Sequence, residues 1–244
     1  RDSLARGLYS KLFEYIVSSV NERIGRVGGG GRTPRSMGRP NAPKTGTRTI
    51  GILDIYGFEC FETNSLEQLC INLANETLQQ SFNEHVFKEE QKIYVQEGIN
   101  WSHVDFHDNV DVIELMGQVF GLLDEACRLG CVTNKDLAVT MRSKLEGHPR
   151  FSAPNRDPTT FCINHYAGEV RYDTSADMLE RNRDRIAEQH QHLMRASTRW
   201  LPRALYERGD AEQASHRGSK LATICSIFLK QLDELSSKLC HADR

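Results

Sequence analysis

One helical pattern in this chain is about three times as long as an ordinary globular helix. It follows Asn64 and Ser65, which are good N-cap residues, with Glu67 and Gln68 as capping-box partners. Apolar positions at helical spacing continue to Gly98, so the pattern spans roughly 32 residues, or ~48 Å. A rod of this length can carry a small displacement as rigid-body motion, although a long core helix without a mechanical role fits equally well.

A short apolar segment, Thr49 to Leu53, precedes this pattern and is typical of a buried strand that ends at Asp54. A carboxylate in that position lies where open α/β sheets bind ligands and where nucleotide hydrolases hold the water shell of Mg²⁺. Gly57 follows three residues later, and its N–H can approach a phosphate oxygen because glycine has no Cβ. An ordinary turn after a strand has the same pattern, so both interpretations stay open.

Composition excludes several classes of protein. The 244 residues have a formal net charge of -2, which gives no basic field for nucleic acid or an anionic membrane. The odd number of cysteines, seven, predicts reduced thiols rather than a disulfide framework. The apolar runs fall far short of the ~20 residues of a membrane span, so we expect no transmembrane segment. Because the chain opens at Arg1 in a helical pattern, we expect a piece of a longer protein.

A helix is predicted over 1–25, and a basic segment rich in Gly and Pro follows at 26–48. This composition predicts a flexible surface loop, with a polyanion-binding loop as the alternative. Residues 38–45 match a phosphate-binding loop except at its second glycine. Since Pro40 and Pro43 have no N–H to offer a phosphate, we do not expect a working phosphate loop here.

Two helical patterns, Val110 to Leu129 and Lys135 to Leu145, predict a helix–loop–helix. Apolar residues near its exposed tip indicate a docking surface. Residues 161–165 and 169–172 predict a β-hairpin, in which His165 is either a general base or a hydrogen-bonded structural residue.

The C-terminal part is predicted as a polar helix from Met178 to Trp200, a loop around Gly209 to Ser219 and an amphipathic helix over 221–240. The apolar stripe of the last helix favours packing on a larger core over a coiled-coil dimer. A metal-binding protein is a further hypothesis, because four potential ligands lie close together in the sequence. They are His103, Asp105, His107 and Asp108.

Several longer motifs together resemble the myosin motor domain, and they cover nearly the whole chain. The matching segments are GILDIYGFE (51–59), NSLEQLCIN (64–72), FNEHVF (82–87), EGINW (97–101), LLDE (122–125), HPRF (148–151) and HYAGEV (165–170). The resemblance implies an α/β, predominantly helical fragment of a P-loop NTPase-type motor with one or two core β-strands. In that family, 49–59 would be strand and switch II, 64–98 the relay helix, 99–200 the lower 50-kDa actin-binding subdomain, and 201–220 the loop 2 region.

The resemblance also implies roles for individual residues toward ATP and Mg²⁺. Asp54 would support the water shell of the Mg²⁺ without ligating it, the Gly57 N–H would sense the γ-phosphate, and Glu59 would pair with an arginine of switch I. Phe82 would lie in the relay helix and Trp101 in the relay loop. The implied actin contacts are Leu129, Gly130, Cys131, Val132, Thr133, Asn134, Arg217 and Lys220.

The implied partners are the actin filament, the rest of the motor domain, and a lever arm with light chains, in the cytoplasm on the actin cytoskeleton. The chain departs from the family pattern in having no G-E-S-G-A-G-K-T phosphate loop and no N-x-N-S-S-R switch I. We therefore expect the chain alone to be catalytically inactive, within an actin-activated Mg-ATPase parent. The alternative is a non-catalytic actin-binding or structural module derived from such a motor.

Overall fold

The computed structural model describes residues 2–27, 50–84, 90–100, 108–183, 188–207 and 223–240. Within these ranges the chain is mostly helical, with one small antiparallel sheet. It divides into two compact units, Arg1–Asp54 with Arg185–Lys220 and Ile55–Asp184 with Leu221–Arg244. None of the described helices is long and apolar enough to cross a membrane.

The elements follow in chain order. They are α1 (Asp2–Val27), α2 (Leu66–Asn83), α3 (Glu90–Gln96), α4 (Val110–Leu129), α5 (Asn134–Leu145), β1 (Phe151–Ser152), β2 (Thr160–His165), β3 (Gly168–Asp173), α6 (Met178–Asn182), α7 (Glu188–Arg195), α8 (Trp200–Glu207) and α9 (Ile224–Cys240).

The first unit contains α1, α7 and α8. The Lys11 ammonium lies 5.3 Å from the centroid of the Tyr206 ring, which is a cation–π contact. The predicted single helix from Met178 to Trp200 is wrong, since α7 ends at Arg195 and the Ser197 hydroxyl accepts the Arg199 N–H at 3.2 Å. The predicted loop around Gly209 to Ser219 lies outside the described residues, and α8 precedes it over Trp200–Glu207. Pro202 lies in the first turn of α8, where no N–H is needed.

The second unit is built around α4, which packs against α2, α5, α6 and α9. Most of its apolar side chains are buried, because this helix is hydrophobic on more than one face. Leu69 and Leu73 of α2 and Leu232 of α9 join the same core. The Phe120 ring of α4 stacks on Phe228 with centroids 6.2 Å apart. The predicted amphipathic helix at 221–240 thus packs on a larger core.

The predicted hairpin and helix–loop–helix are both confirmed. Strands β2 and β3 pair antiparallel, with Phe161 opposite Tyr172, and β1 adds a third strand beside β2. Helix α4 ends at Gly130 in the left-handed conformation, with φ at 72°. Helix α5 begins with a capping box in which Thr133 and Asp136 exchange hydrogen bonds.

The predicted strand at 49–53 is wrong over residues 50–53, which have no regular secondary structure. Ile50 is 99% exposed and Ile52 is 94% exposed. A β-branched apolar segment forms a buried strand only when neighbouring strands satisfy its backbone groups, and in the described part of the chain none pairs with it.

The long helical pattern over 64–98 is described as α2 and α3. Its predicted start is confirmed, since the Ser65 N–H donates to Gln68 Oε1 at 3.1 Å. Residues 85–89 lie outside the described ranges, so continuity across them stays a prediction. The predicted basic loop lies almost entirely outside them as well, because 28–49 are not described.

We expect Thr133→Ala to lower the free energy of unfolding by about 1 kcal/mol, because the α5 capping box loses its hydroxyl. Thr140→Ala on the same helix is the matched control, since its hydroxyl only bonds back to the Asp136 carbonyl at 2.9 Å. Urea unfolding followed by circular dichroism measures both variants. Equal losses would contradict the capping role.

Candidate functional site

The segment predicted to sense phosphate lies in an open loop. Asp54 is exposed and is the last residue of the first unit, whereas Gly57 and Glu59 belong to the second. Gly57 is exposed and has no positive φ. No described atom lies within 4 Å of the position that a Cβ would take there. The backbone at Gly57 is therefore open to approach by an external group such as a phosphate oxygen.

Asn72 of α2 holds both backbone groups of Glu59. Its Oδ1 accepts the Glu59 N–H at 2.9 Å, and its Nδ2 donates to the Glu59 carbonyl at 2.8 Å. The Gln68 Nε2 donates to the Glu59 carboxylate at 3.2 Å. One turn further along α2, Asn75 Nδ2 donates to the Tyr56 carbonyl at 3.1 Å. The segment 56–59 is therefore fastened to one face of α2.

Phe58 fastens the same segment to the hairpin. Its ring meets the His165 ring edge-on, with centroids 5.3 Å apart, and the Tyr166 ring at 5.7 Å. Both residues lie at the turn between β2 and β3. The segment thus lies between α2 on one side and the hairpin turn on the other.

A buried carboxylate, that of Glu76, joins α2 to the hairpin. Its Oε1 accepts from His165 Nδ1 and from the Tyr166 N–H, each at 3.0 Å. Its Oε2 accepts from Nδ2 of Asn109, the N-cap residue of α4. The side chains of Glu76 and His165 are both fully buried. Three donors from two other elements thus compensate for the desolvation of the carboxylate.

Tyr172 connects the contacts that Asn72 makes with Glu59 to the contacts that Glu76 makes with the hairpin. Its hydroxyl accepts from Asn72 Nδ2 at 2.9 Å and lies 2.9 Å from His165 Nε2. Burial raises the pKa of Tyr172, so its hydroxyl keeps its proton. The hydrogen-bond donors of these side chains are consistent with an arrangement in which Tyr172 donates to His165 Nε2 and the Nδ1–H of His165 donates to Glu76. His165 is accordingly the hydrogen-bonded structural residue, one of the two roles that the sequence left open.

A cleft of about 440 Å³ opens beside this network. Gln79 and Asn83 of α2, Arg150 and Tyr166 contribute to its lining. Arg150 Nε donates to Asp111 at 2.8 Å. The buried Oδ1 of Asn109 borders the same cleft and has no partner among the described residues.

The predicted actin contacts at the helix–loop–helix tip have different environments. Leu129 is 61% exposed and Cys131 is exposed as well, whereas Val132 is half-buried against the core. Asn134 donates to Glu180 at 2.8 Å and accepts the Leu179 N–H at 3.0 Å. The bond from Asn134 also lowers the pKa of the Glu180 carboxyl. Asn134 therefore stabilises the loop at the tip through its hydrogen bonds to α6, as Thr133 does by capping α5.

Other predicted site residues are only partly described. Phe82 is 52% exposed on α2, while Trp101, Arg217 and Lys220 lie outside the described ranges. Of the candidate metal ligands only Asp108 is described, and its carboxylate accepts the Val110 N–H at 2.9 Å. The described residues hold no cluster of three or more potential metal ligands.

The sequence did not identify Asn72, Glu76, Tyr172 and Asn109 as site residues. One signal was available, since Asn72 and Glu76 lie one turn apart, and each follows an apolar position by one turn, Asn72 after Leu69 and Glu76 after Leu73. Polar residues on the buried face of an amphipathic helix need partners, which points to a polar network. Val139 of α5, which is 54% exposed, is a further apolar surface residue that the sequence did not single out.

Residues 1–243 match the family model for the myosin head (motor domain). The chain is 43% identical to Myosin-17 of Arabidopsis thaliana over its whole length, and 41% identical to Myosin-7 and to Myosin-5 of the same plant over 98% of its length. It spans 15%, 13% and 15% of these relatives, respectively.

We expect Asn72→Ala to cost about 2–3 kcal/mol of stability, because it leaves Glu59 and the Tyr172 hydroxyl short of partners. Hydrogen exchange at the Glu59 amide should speed up by about 10-fold or more. Asn75→Ala is the matched control on the same helix, since it removes the exposed contact to Tyr56 and a bond back to the Ile71 carbonyl but no contact to Glu59. Unchanged Glu59 exchange in Asn72→Ala would show that Asn72 does not hold this segment.

Proposed function

The chain belongs to the myosin motor-domain family, and we propose that it forms the part of an actin-based, ATP-hydrolysing motor that couples phosphate sensing to movement of α2. The observation that carries this proposal is the two-point hold of Asn72 on the Glu59 backbone. A segment fastened in this way cannot shift without moving the start of α2 or breaking both hydrogen bonds.

We propose that Asp54, Gly57 and Glu59 each contribute to the binding of Mg²⁺ and ATP. MgATP would supply the γ-phosphoryl group for hydrolysis. The exposed carboxylate of Asp54 would accept hydrogen bonds from water on the Mg²⁺, and the open Gly57 backbone would donate its N–H to the γ-phosphate. Glu59 would pair through its carboxylate with an arginine of switch I, while Gln68 orients that carboxylate.

A movement of residues 56–59 would be transmitted to the rest of the second unit along two routes. The first runs through Asn72 and Asn75 into α2 and from there toward Phe82 and the relay loop with Trp101. The second runs from Phe58 to the hairpin turn and through Glu76 to the N-cap of α4. Because α4 leads to the exposed tip, the second route would connect nucleotide state to the actin-binding side of the molecule.

Actin would be contacted by two chemically different surfaces. Leu129 and Cys131 would present apolar area at the tip. Such area contributes contact that is insensitive to salt, whereas Arg217 and Lys220 would steer weak association with acidic actin. The remaining proposed partners are the rest of the motor and a lever arm with light chains, on the cytoplasmic actin cytoskeleton. The chain alone would be catalytically inactive.

A chimeric motor tests the phosphate-sensing role, with residues 1–244 replacing the matching segment of Myosin-17. Gly57→Ala should slow ATP hydrolysis by about 10²-fold, because a methyl group would crowd the phosphate. The same change should leave the melting temperature unaltered, since no described atom is near that Cβ. Single-turnover quench-flow and calorimetry measure the two quantities.

The paired variants Glu59→Ala and Glu59→Gln complete this test. Both should impair hydrolysis and spare nucleotide binding, because each removes the charge that pairs with the switch I arginine. Equal losses in nucleotide binding and in hydrolysis, in the Gly57 and Glu59 variants alike, would mean that both residues are merely structural. A chimera that binds actin but never hydrolyses ATP would favour the non-catalytic module.

The actin surface is tested in the same chimera. Leu129→Asp should weaken strong actin binding about 10-fold at every ionic strength, since it places a charge in a desolvated contact. Replacing Arg217 and Lys220 by Ala should slow association at low salt only. Val132 is a poor probe because it packs against the core. Cosedimentation and stopped-flow binding over a salt series measure both effects, and unchanged affinity in both variants would refute this surface.

A further inference from the structure

The side chain of Gln68, in the first turn of α2, makes two hydrogen bonds with different partners. Its Oε1 accepts the Ser65 N–H at 3.1 Å, and its Nε2 donates to the Glu59 carboxylate at 3.2 Å. Gln68 and Glu59 are both half-buried. One carboxamide therefore belongs to the cap of α2 and to the segment 56–59 at the same time.

The bond to Ser65 does not explain why this residue is a glutamine. Gln68 is the third helical residue of a capping box that begins at Ser65. Glutamate serves this position as well as glutamine does, because either side chain accepts the N–H of the N-cap residue. A glutamate would also gain from the helix dipole, since negative charge is favourable at a helix N-terminus. The cap of α2 alone therefore gives no advantage to a carboxamide.

The bond to Glu59 does require a carboxamide. An ionised carboxylate only accepts hydrogen bonds, so its neighbour must supply a donor, and a glutamate at position 68 has none to offer. Because Gln68 Oε1 already accepts the Ser65 N–H, the amide cannot turn over without losing both hydrogen bonds. The Nε2 donor is thus held toward Glu59 in one orientation.

Glu59 is held at its backbone as well as at its carboxylate. Asn72 bonds to its N–H and to its carbonyl, and Gln68 bonds to Oε2 of its side chain. With both ends fixed, few side-chain rotamers remain to Glu59. Within the described ranges, Oε1 of the same carboxylate accepts no hydrogen bond. One carboxylate oxygen is therefore left in a defined place for a further donor.

We propose that Gln68 is a positioning residue for ATP hydrolysis, which holds the Glu59 carboxylate so that its Oε1 meets the guanidinium of the switch I arginine. This inference rests on the proposed function, in which Glu59 pairs with that arginine. A carboxylate that is held in advance loses less conformational entropy when the pair forms, so the pair forms more readily. Gln68 itself touches neither ATP nor the attacking water.

The test uses the chimeric motor, with variants that separate the two hydrogen bonds of Gln68. Gln68→Glu keeps an acceptor for the Ser65 N–H and removes the donor to Glu59, whereas Gln68→Met removes both. Both variants should slow single-turnover hydrolysis by about 10-fold and leave the affinity for ATP unchanged. Ser65→Ala is the matched control, because it removes the N-cap hydroxyl and should lower the melting temperature without slowing hydrolysis.

A double-mutant cycle and the native 244-residue chain give two further readouts. In a Glu59→Ala background, Gln68→Glu should cause no further loss of hydrolysis, because Gln68 acts only through Glu59. In the native chain, Glu59→Ala should speed the solvent exchange of the Gln68 side-chain amide protons about 10-fold, as measured by NMR. A capping role alone predicts additive effects in the cycle and unchanged exchange.

The outcomes separate this inference from the proposed function. If Glu59→Gln slows hydrolysis while Gln68→Glu and Gln68→Met do not, the role of Gln68 is refuted and the proposed function stands. Slowing by Ser65→Ala that equals the slowing by Gln68→Glu would also refute the role of Gln68, because the cap would then account for both. If Glu59→Gln leaves hydrolysis unchanged, the proposed function fails and the role of Gln68 fails with it.

Discussion

The buried carboxylate of Glu76 is the group on which the polar organisation of the second unit depends. A charged group without exposure is tolerated only when donors surround it, and here His165, Tyr166 and Asn109 supply them. These donors come from the hairpin turn and from the N-cap of α4. One side chain of α2 therefore fixes two other elements, because any of them that moved away would leave the charge short of a partner.

This constraint explains why the loop 56–59 has a defined position although it lacks regular secondary structure. Its backbone is held by Asn72, and Asn72 shares the Tyr172 hydroxyl with His165, which in turn donates to Glu76. These buried polar groups depend on one another, since a network in which some hydrogen bonds are broken leaves buried groups unsatisfied and costs free energy. Such a set holds the loop in one position, because a partial shift would leave several polar groups without partners at once.

The sequence was sufficient for the elements whose signals are local. The helix–loop–helix, the hairpin and the start of α2 follow from apolar periodicity and from caps such as Thr133 and Ser65. It was misleading at 50–53, where strand formation depends on pairing partners that local composition does not reveal. It gave no role to Asn72 or Glu76, because their partners Tyr172 and His165 lie 100 and 89 residues away along the chain.

The tip of the helix–loop–helix shows how structure divides a sequence motif into separate tasks. Gly130 permits the left-handed turn, Thr133 caps α5, and Asn134 bonds to α6. These contacts hold the loop in place, so the exposed apolar side chains at Leu129 and Cys131 would lose little entropy if the proposed partner covered them. A mobile tip would instead lose conformational entropy each time it bound a partner. In the proposed complex, Gly130, Thr133 and Asn134 would therefore contribute to affinity by keeping Leu129 and Cys131 in place.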